Sequence, residues 1–352
     1  MASVAITVAM VAAQFSDVGL NTLVKAATTN GMSKFVFIVY SNALALCFLL
    51  PSTFLYHRKV VPPPISRSII GRIFLSSVLS CAVQTLMYTG IQLSSPTLSS
   101  AMLDLVPAFT FILAIVSRME NLDLKLRSSQ AKAIGTVVSI TGALIVTLYK
   151  GLPVTPQPLP EKPLSWVLLS SQHSNWLLGG FLLSIASFCN SLVIVVQFWV
   201  LKDYPAEFMV TTICCSFVVV LSAIVALIAE GASVAWILRP DMELVAIFYS
   251  AIFQVSIRSV VLAWASRKKG PIYVAMFNPL GMVIAIGMGV IFLSETLYLG
   301  SMIGAGIIGI GFYSVMWGLA QEEKMVNEKE ENQKKNMQSS TTPLLQNKSL
   351  DV

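Results

Sequence analysis

Apolar residues run in stretches of roughly 20 along most of the chain, the length a helix needs to cross a hydrocarbon core. Ten such spans stand out, at about 4–24, 35–55, 70–91, 97–117, 130–149, 176–199, 207–229, 243–264, 271–293 and 299–319. The pattern predicts an all-α integral membrane protein with ten transmembrane helices. Most connections are short. The exception is 151–175, where Pro153, Pro156, Pro158, Pro160 and Pro163 forbid a helix. This loop separates residues 1–150 from 176–320, with five spans on each side. The last residues, 321–352, are polar and poor in aromatics, which predicts a disordered tail after a short helical start.

The two halves echo each other. Ser94–Ser117 and Gly270–Leu293 are apolar runs with a proline in the first half, Pro107 and Pro279, and a following glutamate, Glu120 and Glu295. A glycine-punctuated helix comes next in each case, reading Ile134-Gly135…Gly142 and Ile303-Gly304…Gly311. Because five is odd, a second half that repeats the first enters the membrane upside down. Two inverted five-helix repeats are the expected architecture, with a binding site where interrupted helices of the halves meet.

Composition agrees with the pattern. The chain is 55% hydrophobic and 11% charged, against about 25% charged in soluble domains. The first span lacks a basic flank and is too long for a signal sequence, so it is read as a retained helix. Cys47, Cys81, Cys189, Cys214 and Cys215 all fall inside spans and serve as small apolar packing residues. The net charge of +6 is spread over loops and signals no nucleic acid. Lysines and arginines set the orientation. With a cytosolic N-terminus, the inner loops hold Arg58, Lys59, Arg67, Arg72, Arg118, Lys125, Arg127, Lys202, Arg267, Lys268 and Lys269, against Lys25, Lys34, Lys150, Lys162 and Arg239 outside. Both termini are therefore predicted to be cytosolic. The one glycosylation sequon, Asn347-Lys348-Ser349, then lies on the cytosolic side and stays unmodified.

Three charged residues sit well inside spans, Asp17, Asp104 and Arg258. A charge at the bilayer centre costs about 2.5–3.5 kcal/mol, so each needs a partner or a function. Polar neighbours follow helical spacing: Gln14, Asp17, Asn21 and Lys25 in span one; Ser77, Cys81, Gln84 and Tyr88 in span three; Ser187, Asn190 and Gln197 in span six; Ser250, Gln254 and Arg258 in span eight. Asp104 precedes Pro107 by one turn in span four, and Asn278 adjoins Pro279 in span nine. Six polar faces on six helices predict a shared water-accessible cavity, while spans two, seven and ten read as apolar packing helices. Alternatives stay open residue by residue. Gln84, Asn190 and Gln197 can act as interhelical glue, and Asp104 with Arg258 can form a structural ion pair. Pro107 and Pro279, the proposed hinges, free carbonyls that need a partner at membrane depth, or they only adjust packing.

The segments SSPTLSSAMLDLVPAFTFILAIVSRMENL at Ser94–Leu122, QAKAIGTVVSITGALIVTLYKG at Gln130–Gly151, GPIYVAMFNPL at Gly270–Leu280 and SETLYLGSMIG at Ser294–Gly304 resemble plant EamA-type carriers of the drug/metabolite transporter superfamily, the walls-are-thin-related or UMAMIT group. So does Lys202-Asp203-Tyr204-Pro205-Ala206-Glu207. The resemblance spans nearly all of residues 1–320. It implies two inverted EamA repeats, alternating access, and a cavity lined by helices one, three, four, six, eight and nine. It also implies amino acids as cargo, with auxin in some members. Many such proteins have asparagine at the place of Asp104, and Arg258 is not part of the group's pattern.

The expected function is a secondary transporter, a facilitator or exporter of small organic solutes, most simply amino acids, in the plasma or vacuolar membrane. Arg258 is assigned to the substrate carboxylate and Asp104 to the ammonium group or to a coupled proton, because burial favours a neutral carboxyl. Gln84, Gln197 and Asn278, with Asp17, Asn190 and Tyr88, complete the substrate-binding set. No cofactor, metal or nucleic acid is expected. The partners are the solute, the bilayer and a second copy of the chain. Two rivals remain: a carrier of auxin or other aromatic acids, with Tyr88 and Phe111 as stacking partners, and a membrane sensor or scaffold that binds without transporting. An enzyme lacks support, since His57 and His173 both lie outside the spans. In the tail, Pro343-Leu344-Leu345 resembles a dileucine sorting signal, with Ser339 and Ser340 as candidate phosphorylation sites.

Overall fold

The computed structural model describes residues 2–29, 32–58, 64–93, 102–117, 119, 126–149, 169–231, 236, 242–293 and 299–340. The loop at 151–168, Glu120, Glu295, the sequon and the dileucine-like segment lie outside the described residues. Within them the chain is helical and contains no strand. Spans one to three are α1 (Ala2–Thr29), α2 (Lys34–His57) and α3 (Arg67–Leu93). Spans four to seven are α4 (Val106–Val116), α5 (Arg127–Leu148), α6 (Leu169–Asp203) and α7 (Glu207–Glu230). Span eight comprises α8 (Met242–Tyr249), a π-helical segment (Ser250–Arg258) and α9 (Ser259–Lys269). Span nine is divided into α10 (Pro271–Ala275) and α11 (Phe277–Leu293), and span ten is α12 (Leu299–Ser340). Six of these helices are long and apolar enough to cross a bilayer by themselves. Shorter apolar helices supply spans one, four and nine.

The ten spans do not segregate by half. Span six packs on spans three and four, whereas span one packs on spans eight and nine. Two bundles result, each combining one span of one half with two of the other. Spans two and seven pair with each other, as do five and ten, and these pairs join the bundles.

The fifth and tenth spans show why the halves are inverted. A Cβ on Gly135 would lie 2.8 Å from the Gly311 carbonyl oxygen, and one on Gly311 would lie 2.7 Å from the Gly135 oxygen. A Cβ on Gly142 would lie 2.9 Å from the Gly304 oxygen. Each glycine of one helix thus meets the non-equivalent glycine of its mate, as an antiparallel pair related by a two-fold axis must. Only glycine allows backbones this close. Lys132, fully buried at the end of this seam, donates to Glu322 at 2.8 Å. Spans two and seven are joined by Thr53 Oγ1 and Thr212 Oγ1 at 2.6 Å and by Ser33 donating to Glu230 at 2.7 Å.

The bundles touch at one end of the molecule. Ile73, Val200, Leu201 and Ala263 pack together there, as do Ala114, Ile272 and Met276. This closes the seam between spans three, four and six on one side and eight and nine on the other.

Three expectations change. The polar stretch 321–340 continues span ten as helix to Ser340 instead of being disordered. Its Glu, Lys, Gln and Met residues are good helix formers, and Glu330–Lys334 and Glu331–Lys335 have the favourable four-residue spacing. Span six begins at Leu169, inside the stretch read as loop. Span two is not purely apolar, because Asn42 is buried in it and is used by the site.

Candidate functional site

Spans four and nine are interrupted at matching places. In span four, Asp104 and Leu105 form a turn ahead of α4, with the Leu105 amide bonded three residues back to Met102. In span nine, Met276 is the turn between α10 and α11. Asp104 thus lies in the first break itself, and Asn278 lies two residues past the second, one position before Pro279. Pro107 and Pro279 follow each break by two to three residues, in the first turn of the restarting helix, where a missing N–H is harmless. The breaks lie just ahead of the proposed hinges.

Span six satisfies the carbonyls that the first break exposes. Ser187 donates to Met102 O at 2.6 Å and Ser191 to Val106 O at 3.1 Å. Between those bonds, Asp104 is 2% exposed and its Oδ2 has no hydrogen-bond partner among the described residues. A buried carboxyl left in this condition is costly. Asn190 and Gln197, on the same helix as the two serines, are half-buried and make no hydrogen bond among the described residues.

The acid that faces Arg258 is not Asp104. Arg258 closes the π-helical segment of span eight, and its Nε lies 3.9 Å from Oδ1 of Asp17 in span one. Both side chains are about one-fifth exposed, at 22% and 23%. At this distance the contact is an ion pair without a hydrogen bond, and Arg258 Nε has no other acceptor. The alternative of a structural Asp104–Arg258 pair is therefore not the arrangement found; the acid within ion-pair distance of Arg258 is Asp17. The spacing argument could not choose between two acids on different helices, and the packing of span one on span eight decides. That packing is tight: Tyr249 donates to Ser16 O at 3.2 Å, and its hydroxyl lies 3.0 Å from where a Cβ on Gly19 would stand.

Tyr88 of span three joins this group. It lies close enough to Asp17 and Arg258 to feel both charges, and its ring meets Phe37 edge-on at 5.8 Å. One turn earlier, Gln84 accepts from Asn42 Nδ2 at 3.1 Å, and Asn42 also donates to Ile38 O at 2.8 Å. Gln254 Oε1, one turn before Arg258, is buried without a partner. Gln14 is buried against Gly281 of span nine, and Asn278 is half-buried. Asn21 and Lys25 have side chains outside the described residues. Phe111 packs with Ala114, Ile272 and Met276, in a cluster that does not contain Tyr88.

The structure therefore brings Asp17, Arg258 and Tyr88 together and leaves Asp104 unpaired in the opposite bundle. Sequence reading missed Asn42 and Lys132, both buried. A lone asparagine in an apolar span and a lysine near a span's start both give a signal, but a weak one. It missed the π-helical turn as well, for which periodicity offers no cue. Such turns occur frequently at functional sites. Among the described residues no group of His, Cys, Asp and Glu is arranged to hold a metal.

Comparison with known proteins places this geometry. Residues 177–317 match the model of the EamA-like transporter family. A WAT1-related protein of Arabidopsis thaliana is 48% identical over 325 residues, covering 91% of this chain and 87% of the relative. Two further Arabidopsis thaliana WAT1-related proteins are 44% and 41% identical, each over about 90% of this chain. One solved crystal structure, 13% identical, superposes with a TM-score of 0.64 over 89% of this chain and 98% of its own length, a likeness of fold alone.

Proposed function

Because this chain belongs to the plant WAT1-related family of EamA-like transporters, we propose that it carries small zwitterionic solutes, amino acids above all, by alternating access. A multi-pass membrane transporter of small solutes is what the family establishes, and the cargo is our reading. One observation carries it: unsatisfied groups of opposite sign stand on opposite bundles. Arg258, loosely held by Asp17, belongs to the bundle of spans one, eight and nine. Asp104, with an unpartnered oxygen, belongs to the bundle of spans three, four and six.

A substrate carboxylate takes Arg258 from Asp17, since a guanidinium binds a carboxylate with two parallel hydrogen bonds. The ammonium group goes to Asp104. Gln84, Asn190, Gln197 and Asn278 orient the solute between them. A zwitterion bound in this way links the two bundles, and an empty site leaves each charge to its local surroundings. Asp104 is also the residue to which we assign any coupling to a proton gradient. The excess of lysine and arginine in the loops on one side supports cytosolic termini.

Tyr88 beside Arg258 also suits an aromatic acid such as auxin. The second ring that reading needs, Phe111, is packed in another cluster, which favours the amino-acid reading. The test is flux of a labelled amino-acid mixture into proteoliposomes, with and without a pH gradient, for wild type, Asp104→Asn and Arg258→Ala. Saturable wild-type flux that Arg258→Ala loses and that Asp104→Asn lowers, together with loss of the response to the pH gradient, supports the assignment. Flux that aromatic acids inhibit and amino acids do not would replace it with the auxin-type reading, and solute binding without flux would indicate a sensor.

A further inference from the structure

Away from the candidate site, a cavity of about 270 Å³ opens among helix ends on one face of the molecule. Tyr56 from the end of span two, Glu207 and Phe208 from the start of span seven, and Val261, Trp264 and Arg267 from the last turns of span eight line it. Helix ends of membrane spans lie at headgroup depth, where tyrosine and tryptophan gather. Below it, the flanking surface is apolar and faces outward: Phe54 and Leu55 are 63% and 61% exposed, and Ile257 is 50% exposed.

Two features distinguish this cleft from ordinary lipid-facing surface. Its walls are aromatic, with the Tyr56 and Phe208 rings 4.9 Å apart and Trp264 nearby. Its polar end holds both signs of charge. Glu207 is 7% exposed and pairs with Arg267 Nε at 2.8 Å, while Arg267 Nη1 donates to Pro205 O at 2.6 Å. Those two bonds leave the rest of the five guanidinium N–H donors uncommitted. A second cation, Arg58, is exposed two residues beyond Tyr56 and lies over the Phe54 ring, at 5.0 Å.

We propose that this cleft binds a zwitterionic phospholipid of the choline class. The quaternary ammonium sits against the Tyr56, Phe208 and Trp264 rings, whose faces attract such cations, and within reach of the Glu207 carboxylate. The phosphate meets Arg267 and Arg58, and an acyl chain follows Val261 and the exposed apolar belt into the bilayer. A purely anionic headgroup fits less well, because it brings negative charge to Glu207 without an ammonium to offset it. The inference depends on the membrane placement of these helix ends and is independent of the transported solute.

The test uses the full chain in vesicles with a photoactivatable phosphatidylcholine, mapping labelled peptides and competing with unlabelled phosphatidylcholine or phosphatidylglycerol. Labelling is expected on the segments around Tyr56, Phe208 and Trp264, with phosphatidylcholine competing about tenfold better. Val261→Trp, which fills the cavity and keeps the ion pair, abolishes this labelling. Glu207→Gln reduces the preference for the choline headgroup, and thermal unfolding verifies that both variants are folded. Labelling spread evenly over exposed helices, equal competition by phosphatidylglycerol, or labelling unchanged in folded Val261→Trp would each overturn the proposal.

Discussion

Spans three and eight occupy equivalent places in the two halves, yet they are built differently. Span three is regular α-helix from Arg67 to Leu93, and it presents Gln84 and Tyr88, both uncharged at neutral pH. Span eight is interrupted by a nine-residue π-helical segment that ends at Arg258, with Ser256 Oγ reaching back five residues to Ala251 O at 2.7 Å. Spans four and nine differ in the same manner, with Asp104 in one and Asn278 in the other. By contrast, the glycine seam of spans five and ten is nearly identical from either side. The scaffold repeats between the halves, while the charges do not: Asp17 and Asp104 belong to the first half and Arg258 to the second.

Four outcomes, from the largest effect to the smallest, challenge this division. Arg258→Ala should lower saturable flux by roughly 30-fold or more, since it removes the charge-assisted hydrogen bonds proposed to the substrate carboxylate, about 2 kcal/mol or more. Its span-three counterpart Gln84→Ala should cost only about 1 kcal/mol, and equal losses would erase the asymmetry. Gly311→Ala and its two-fold counterpart Gly142→Ala should each lower stability by about 1–3 kcal/mol through backbone overpacking, read as thermal unfolding in detergent. Unequal shifts would show that the seam is not reciprocal. Asp104→Asn should abolish the response to a pH gradient and lower symmetric flux by about tenfold or less. Adding Asn278→Asp, which moves the acid to the turn that follows the second break, tests whether the position or only the charge matters. The smallest effect is expected for Thr53→Val, about 1 kcal/mol of stability from one interhelical hydrogen bond, with substrate affinity unchanged.

The spans, their number and the doubling were legible because bilayer length and apolar composition are written locally in the chain. The seven-residue glycine spacing even anticipated the seam, since Gly135 and Gly142 meet Gly311 and Gly304 in reverse order. Partner choice was not legible. Asp17 and Asp104 have equal claims on Arg258 in one dimension, and only the exchange of spans between bundles brings Asp17 forward. That exchange is also why bodies that move in transport need not coincide with the repeats. Asn42 was overlooked because a single polar residue leaves an apolar periodicity intact, and the π-helical turn because it changes register without changing residue type. The tail helix was missed for the opposite reason: its composition excludes a packed core but favours an isolated helix.

That helix has a consequence for signalling. From Glu322, which Lys132 holds at the membrane end of the seam, eighteen further residues reach Ser340, a rigid rod of about 27 Å at 1.5 Å per residue. This is roughly three times the screening distance of about 8 Å at physiological ionic strength. A phosphate on Ser339 or Ser340 would therefore be electrically invisible to Asp104, Arg258 and the bilayer surface. Control exerted there must pass through a protein that grips the rod, and such a protein would be held clear of the lipid.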